Sequence, residues 1–525
     1  MPLVAAAILF YTGAMPDALS QHPMSRGRLP ALLLAALLSF AAAPAVAQPA
    51  PQPKAEIAQD SQPGILSLLP ADSITDHTLV TEDGSFPYTA TAGTFTLRGQ
   101  DGGRSAAMFY TAYTRDGGED GAARPVTFVF NGGPGAASTY LHLGLVGPQV
   151  VDFGAPPAAA TARLHDNPES WLRFTDLVLI DPVGTGWSRA ADPEDNEKFW
   201  GVESDAEAIA KVIALYVAEH GLTAAPKYLL GESYGGFRAA KVARALQQGQ
   251  GIVASGIVML SPLLDGGLTF RAGRSALSAA LLLPAIAATE LDRQGRFTPQ
   301  ALAEAERFAM TDYLVTLAGP PPEGDAATAF YAKVAAMTGL PPEVVARTRG
   351  FIGRAYLNHP RDGAAQVVSP YDGTFAMPDP FPESDYDGGD DPMLDGFLQS
   401  LGGLFVGYAR AQLGFETEMT FELLNRSVSS RWNWDGGRRG ASVSGDLRRL
   451  LALNPGFRLL IAHGRNDLVT PYGPSRYVLD HLSPEAGADR AALALYKGGH
   501  MFYLDPASRI AFTKDAEAFY ANGAP

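Results

Sequence analysis

Five short, largely apolar runs, each ending in a glycine-bearing loop, set the limits on how this chain folds. They are PVTFVF at 125–130 before NGGPG, DLVLI at 176–180 before DPVGTGWS, YLL at 228–230 before GESYGG, RLLIA at 458–462 before HGRND, and ALALY at 492–496 before KGGH. Runs without polar alternation suit strands buried on both faces of a largely parallel sheet. GIVML at 256–260 adds another core strand. Between them, Ile209, Val212, Ile213, Tyr216 and Val217 fall on one face of a helix predicted over 202–220, with Ser204 and Glu207 as its capping box. Strands alternating with amphipathic helices predict an α/β fold. FTLRG and AAMFYTAYTRDG, separated by the turn 100–103, predict an antiparallel edge hairpin before this core.

The loops carry the chemistry. In GESYGG a buried strand turns sharply into a helix over 237–247, and glycines on both sides let the backbone take strained dihedrals while leaving room for substrate. Ser233 then stands at the bend as a nucleophile, with the helix N-terminus adding to anion stabilisation. The same five-residue pattern also arises in ordinary loops. In NGGPG the glycines turn backbone N–H groups into a cleft, as an oxyanion requires, although a plain tight turn reads the same.

With NGGPG, DPVGTGWS and GESYGG in this order and spacing, the chain resembles the serine carboxypeptidase family, a branch of the α/β-hydrolase fold. The resemblance extends over most of the chain after residue 75. It implies that Gly133 and Tyr234 supply oxyanion N–H groups, and that Asn131, Gly132 and Glu232 bind the substrate's terminal carboxylate. The family pairs this glutamate with a second one in a Glu-Leu-Gly-Pro segment; here the segment is Leu145-Val146-Gly147-Pro148, so Leu145 replaces the second carboxyl. Ala136 stands where many members carry cysteine. A triad acid in this fold follows a late strand, in the chain order Ser, acid, His. Asp467 meets both requirements, with Asp265 as the rival. His500, after two glycines and before methionine, matches the family's Gly-His-Met element; a buried structural histidine is the alternative. His463 precedes the acid too closely, and His22 falls in the leader.

Composition narrows the rest. The 525 residues contain no cysteine, which excludes disulfides, thiolate metal sites and a cysteine nucleophile. A net charge of -15 argues against nucleic-acid partners. From Met24, Arg26 and Arg28 precede an apolar stretch 29–43 and the cleavage pattern Ala45-Val46-Ala47, which predicts a signal peptide cut after Ala47. The stretch is short of the ~20 residues of a spanning helix, so no membrane anchor is expected after cleavage. Residues 48–74 follow as a Pro/Gln/Ala-rich linker.

The expected organisation is a hydrolase core over 75–264 and 441–525, interrupted by a helical cap over 265–440. Within the cap, Thr298-Pro299 opens a helix, 326–337 forms another before Gly339, and 341–350 a third. The acidic run 385–391, DYDGGDD, lacks the ligand spacing of a calcium loop and reads as a solvated loop. Trp432 and Trp434 read as core packing, with a pocket lining as the alternative. The function expected is an exported serine carboxypeptidase acting on peptides without metal or organic cofactor. An esterase or acyltransferase with the same triad is the second reading, and a non-catalytic binding protein on the scaffold the third.

Overall fold

The apolar runs assemble into one twisted ten-stranded sheet. The computed structural model describes residues 64–81, 84–117, 124–359, 365–384 and 389–521; the expected leader, the first part of the linker and residues 385–388 of the acidic run lie outside them. The strands are β1 (Ser73–Thr81), β2 (Gly84–Arg98), β3 (Arg104–Arg115), β4 (Val126–Phe130), β5 (Asp176–Ile180), β6 (Arg189–Ala190), β7 (Lys227–Glu232), β8 (Gly256–Leu260), β9 (Arg458–Gly464) and β10 (Ala491–Tyr496). Their order is β1-β2-β3-β5-β4-β7-β8-β9-β10, with β6 paired to β3. From β5 to β10 every pairing is parallel, and β1, β2, β3 and β5 pair antiparallel. This is an α/β-hydrolase fold.

Both faces of the sheet are covered, which is why its central strands carry no polar alternation. In β4, Phe128 and Phe130 join one core cluster with Ile209, Ile213 and Phe237, while Val129 joins the other with Phe512 and Tyr520. Each of these side chains is nearly or fully buried, and burying one contributes roughly 1.5–3 kcal/mol. The helices over the first face are α1 (Val202–Glu219) and α2 (Tyr234–Ala245).

Two details depart from expectation. The hairpin of β2 and β3 is not the edge of the sheet: β1 pairs outside it and β5 inside it, so β1 forms the edge at that end. The α1 cap is Gly201, with no side-chain cap bond, rather than a Ser204–Glu207 box. Its entry is fixed from a distance, because Val202 N–H bonds the Asn433 carbonyl at 3.1 Å. Tertiary contact therefore replaces the local capping signal, while the helix begins at Val202 as predicted.

Between β8 and β9 the chain leaves the sheet. This excursion includes α3 (Ala276–Arg293), α4 (Pro299–Phe308), α5 (Gly324–Thr338) and α6 (Ser400–Ala411). Thr298 caps α4 through Ala301 N–H at 3.1 Å, and Gly339 ends α5 at φ +68°, as the sequence signals predict. The third expected helix is Pro342–Arg347, shorter than predicted. Among the described residues no helix is long and apolar enough to cross a membrane.

Candidate active site

The functional loops gather at the carboxyl ends of the parallel strands, where this sheet type builds its ligand sites. At the end of β7, Ser233 adopts φ +61°, ψ -124°, a conformation that costs a non-glycine residue energy. The surrounding structure holds it there: Ser233 N–H bonds the Leu260 carbonyl at 2.9 Å, and its own carbonyl accepts Leu263 N–H at 3.1 Å. The bend admits no side chain at Gly231, where an added Cβ would stand 2.0 Å from the Gly235 carbonyl oxygen. The NGGPG loop approaches equally closely, since a Cβ on Gly132 would lie 2.6 Å from Tyr234 N. Glycine is required at both positions by contact with backbone. Tyr234 opens α2, and the first N–H groups of a helix lack intrahelical acceptors; Gly133 and Tyr234 line the same cavity as Ser233.

His500 and Asp467 meet directly, with Nδ1 of His500 2.8 Å from Oδ2 of Asp467. The carboxylate is tightly held: Oδ1 accepts the N–H groups of Val469 and Thr470 at 2.9 and 3.0 Å, and the Thr470 hydroxyl lies 2.9 Å from Oδ2. Burial pushes Asp467 up, but the charge and hydrogen bond of His500, His463 and the Thr470 N–H win, leaving it below the ordinary value. Burial likewise opposes charge on His500, yet Asp467, aided by Glu232, holds the imidazole above its usual value. Ser233 and His500 line one cavity; the described hydrogen bonds include none between their side chains. Such bonds are often long in unliganded sites and tighten with substrate.

The alternatives from the sequence have other duties. Asp265 caps a short turn of helix, accepting Leu268 N–H at 3.0 Å. His463 is buried against the Ser475 hydroxyl at 2.8 Å, and burial pushes its imidazole down to about 4. Trp432 packs in the core, whereas Trp434 lines the cavity and meets the Tyr234 ring edge to face at 5.3 Å. Ala136 also lines the cavity. Among the described residues no group of three or more His, Asp or Glu side chains is placed to hold a metal ion.

Glu232 is nearly fully buried beside Ser233. Burial drives its carboxyl up to about 7, partly offset by His500 and by hydrogen bonds from Tyr503 and Asn131. The Tyr503 hydroxyl donates to Oε2 in a short bond. Leu145 is fully buried among apolar side chains, and one residue before it an added Cβ on Gly144 would stand 2.6 Å from the Tyr503 ring. A phenol thus partners Glu232, while the second carboxyl that the family resemblance implies is replaced by Leu145. Tyr503 follows the Gly-His-Met element by two residues and carries no motif of its own. Asn131 turns its Oδ1 to Leu141 N–H at 3.0 Å, and Arg238 of α2 binds its backbone carbonyl. Arg238 is itself paired with buried Asp205 at 2.7 Å, so a buried ion pair pins the loop bearing Asn131 and Gly132.

The excursion contributes contacts that no sequence signal announced. Tyr371 accepts His500 N–H on its backbone carbonyl and sets its ring edge to face with the imidazole at 5.3 Å. Asn425 N–H bonds the Gly135 carbonyl at 2.8 Å, and the Ser429 hydroxyl donates to the Pro134 carbonyl at 2.6 Å.

Comparison with known proteins bears on the fold and on the family resemblance. Residues 87–265 match the family model described as serine carboxypeptidase, peptidase S10, so the resemblance carried by the three motifs is borne out. No curated protein matches the sequence. Among solved structures, the prohormone-processing carboxypeptidase Kex1 of Saccharomyces cerevisiae aligns at 15% identity and TM-score 0.53, over 83% of this chain and 91% of that one. A proline iminopeptidase of Mycobacterium smegmatis aligns at 16% identity and TM-score 0.37, over 82% and 98%.

Proposed function

We propose that this chain, which carries a serine carboxypeptidase family region on an α/β-hydrolase fold, hydrolyses peptides from their C-terminus through Ser233, His500 and Asp467. His500 takes the proton from the Ser233 hydroxyl as Oγ attacks the acyl carbonyl. The oxyanion is received by the N–H groups of Gly133 and Tyr234, and the imidazolium returns its proton to the leaving amine. Water then adds to the acyl-enzyme with the same base and releases the acid. The observation that carries this reading is the buried Asp467–His500 hydrogen bond beside a cavity shared with a strained Ser233.

Asn131, Gly132 and Glu232 are proposed to receive the terminal carboxylate. A carboxyl held near 7 is mostly protonated in acid, so it donates to a carboxylate instead of repelling it. Residues 265–440 are proposed to act as a cap between two core segments, 75–264 and 441–525, and residues 1–47 as an extension and signal peptide that exports the chain. N-terminal sequencing of the exported protein tests the last point; a mature chain beginning before residue 40 contradicts it.

The second reading is an esterase or acyltransferase with the same triad. It is favoured by Leu145 in the core and by Tyr503 on Glu232, which leave one carboxyl where two would share a proton. Comparing a blocked dipeptide with a free C-terminus against its amide and a simple ester decides between them. Equal cleavage of carboxylate-free substrates, unchanged in Glu232→Gln, would overturn carboxypeptidase activity.

A further inference from the structure

Three residues lining the Ser233 cavity other than tyrosines are titratable: His500, Glu232 and Arg438. Glu232 is satisfied by Tyr503. Arg438 sits in the glycine-rich turn after Trp434, exposed on its solvent side at the cavity rim. Its guanidinium lies 4.0 Å from the centre of the Phe270 ring and 5.8 Å from that of Trp434, and both rings also line the cavity. No side-chain hydrogen bond or ion pair joins it to any of the described residues. Other arginines near the site do have carboxylate partners: Arg238 with Asp205, Arg465 with Asp292 and Arg426 with Asp395. In a chain with 55 acidic side chains against 40 lysines and arginines, a cation left unmatched beside the cavity stands out.

A guanidinium stacked on an aromatic ring is held in place by its face, while its edge keeps a fork of N–H donors that matches a carboxylate. Glutamates and aspartates that would compete for that edge are missing from the lining except for Glu232, which already has a donor.

We propose that Arg438 is a substrate-binding residue that receives a carboxylate of the substrate at the cavity rim. The carboxylate comes from an acidic side chain next to the scissile bond, or is the substrate's own C-terminus, which Arg438 would then share with Asn131, Gly132 and Glu232 in the same cavity. The proposal deepens the reading of Ser233 as the nucleophile of this cavity and rests on it.

The test compares the wild-type protein with Arg438→Gln and Arg438→Lys on four blocked dipeptides. These carry Glu or Gln on the acyl side of the bond, each with a free or an amidated C-terminus. A charge-assisted hydrogen bond of this kind predicts that Arg438→Gln lowers kcat/KM for a carboxylate substrate relative to its amide isostere about tenfold, mainly through KM. Arg438→Lys keeps part of the preference, because it retains charge without the planar fork. A response confined to the Glu/Gln pair assigns the carboxylate to the side chain, and one confined to the acid/amide pair assigns it to the C-terminus. The same preference ratios in wild type and Arg438→Gln would overturn the proposal while leaving the Ser233 reading intact. A wild-type protein that cleaves none of the substrates and takes no phosphonate label would overturn both.

Discussion

The strand ends and the excursion build opposite halves of one cavity by different means. The strand-end half is made of sequence-local units: a buried strand, a glycine bend and a functional residue, as at Phe130 to Gly133 and Leu230 to Ser233. Its geometry is set by close backbone approach, such as Gly132 against Tyr234 N and Gly231 against Gly235. The excursion half supplies Tyr371 and, more than sixty residues later, Trp434 and Arg438, together with the Asn425 and Ser429 bonds to the proposed oxyanion loop. The proposed triad and the proposed carboxylate-binding residues Asn131, Gly132 and Glu232 thus lie in the strand-end half, and the bracing contacts and Arg438 in the other.

That division orders the expected effects. Ser233→Ala should lower kcat/KM by at least about 10⁴-fold, as loss of a nucleophile does; activity within about tenfold of the parent would break the assignment. Asp467→Asn should cost roughly 10³- to 10⁴-fold through the wrong imidazole tautomer. Asp265→Asn retains a capping side chain, so steady-state rates should change little, and a reversal of this order would move the acid to Asp265.

Effects on stability separate the halves further. Arg238→Ala leaves Asp205 buried without its partner, so chemical denaturation should report a loss of about 3–5 kcal/mol. Glu232 gives a pH signature. Its folded value near 7 lies above the ordinary 4.5, so the folded state binds the proton more tightly, and stability falls as pH rises from about 4.5 through 7. The fall amounts to roughly 3 kcal/mol for a shift of this size, and Glu232→Gln should flatten it in a series of pH-dependent melts. In the excursion, Ser429→Ala removes a single bond to the Pro134 carbonyl and should cost only about 1 kcal/mol. A loss as large as that of Arg238→Ala would show that the oxyanion loop depends on the excursion for its fold.

The same contrast explains what the sequence revealed. Parallel core strands announce themselves as unbroken apolar runs, and the residues that follow them, Ser233, Asp467 and His500 among them, are legible from the runs alone. The α1 cap is not legible in the sequence because the entry at Val202 is held by the Asn433 carbonyl, more than two hundred residues away, and not by a local side chain. Tyr503 carries no signal in the sequence, because only the fold brings its hydroxyl to Glu232. Leu145 marked a missing carboxyl without telling what would replace it. Arg438 is one arginine of a glycine-rich turn in the sequence, and only the packing of Phe270 and Trp434 gives it a place.

The central claim is that Ser233 is an activated nucleophile at the junction of these halves. Treating the wild-type protein and Ser233→Ala with an organophosphonate, then locating the adduct by mass spectrometry, tests it most directly. The account predicts a single adduct on Ser233 that is absent from Ser233→Ala and strongly slowed in His500→Ala. An unlabelled wild-type protein, or a label on another side chain, would contradict it.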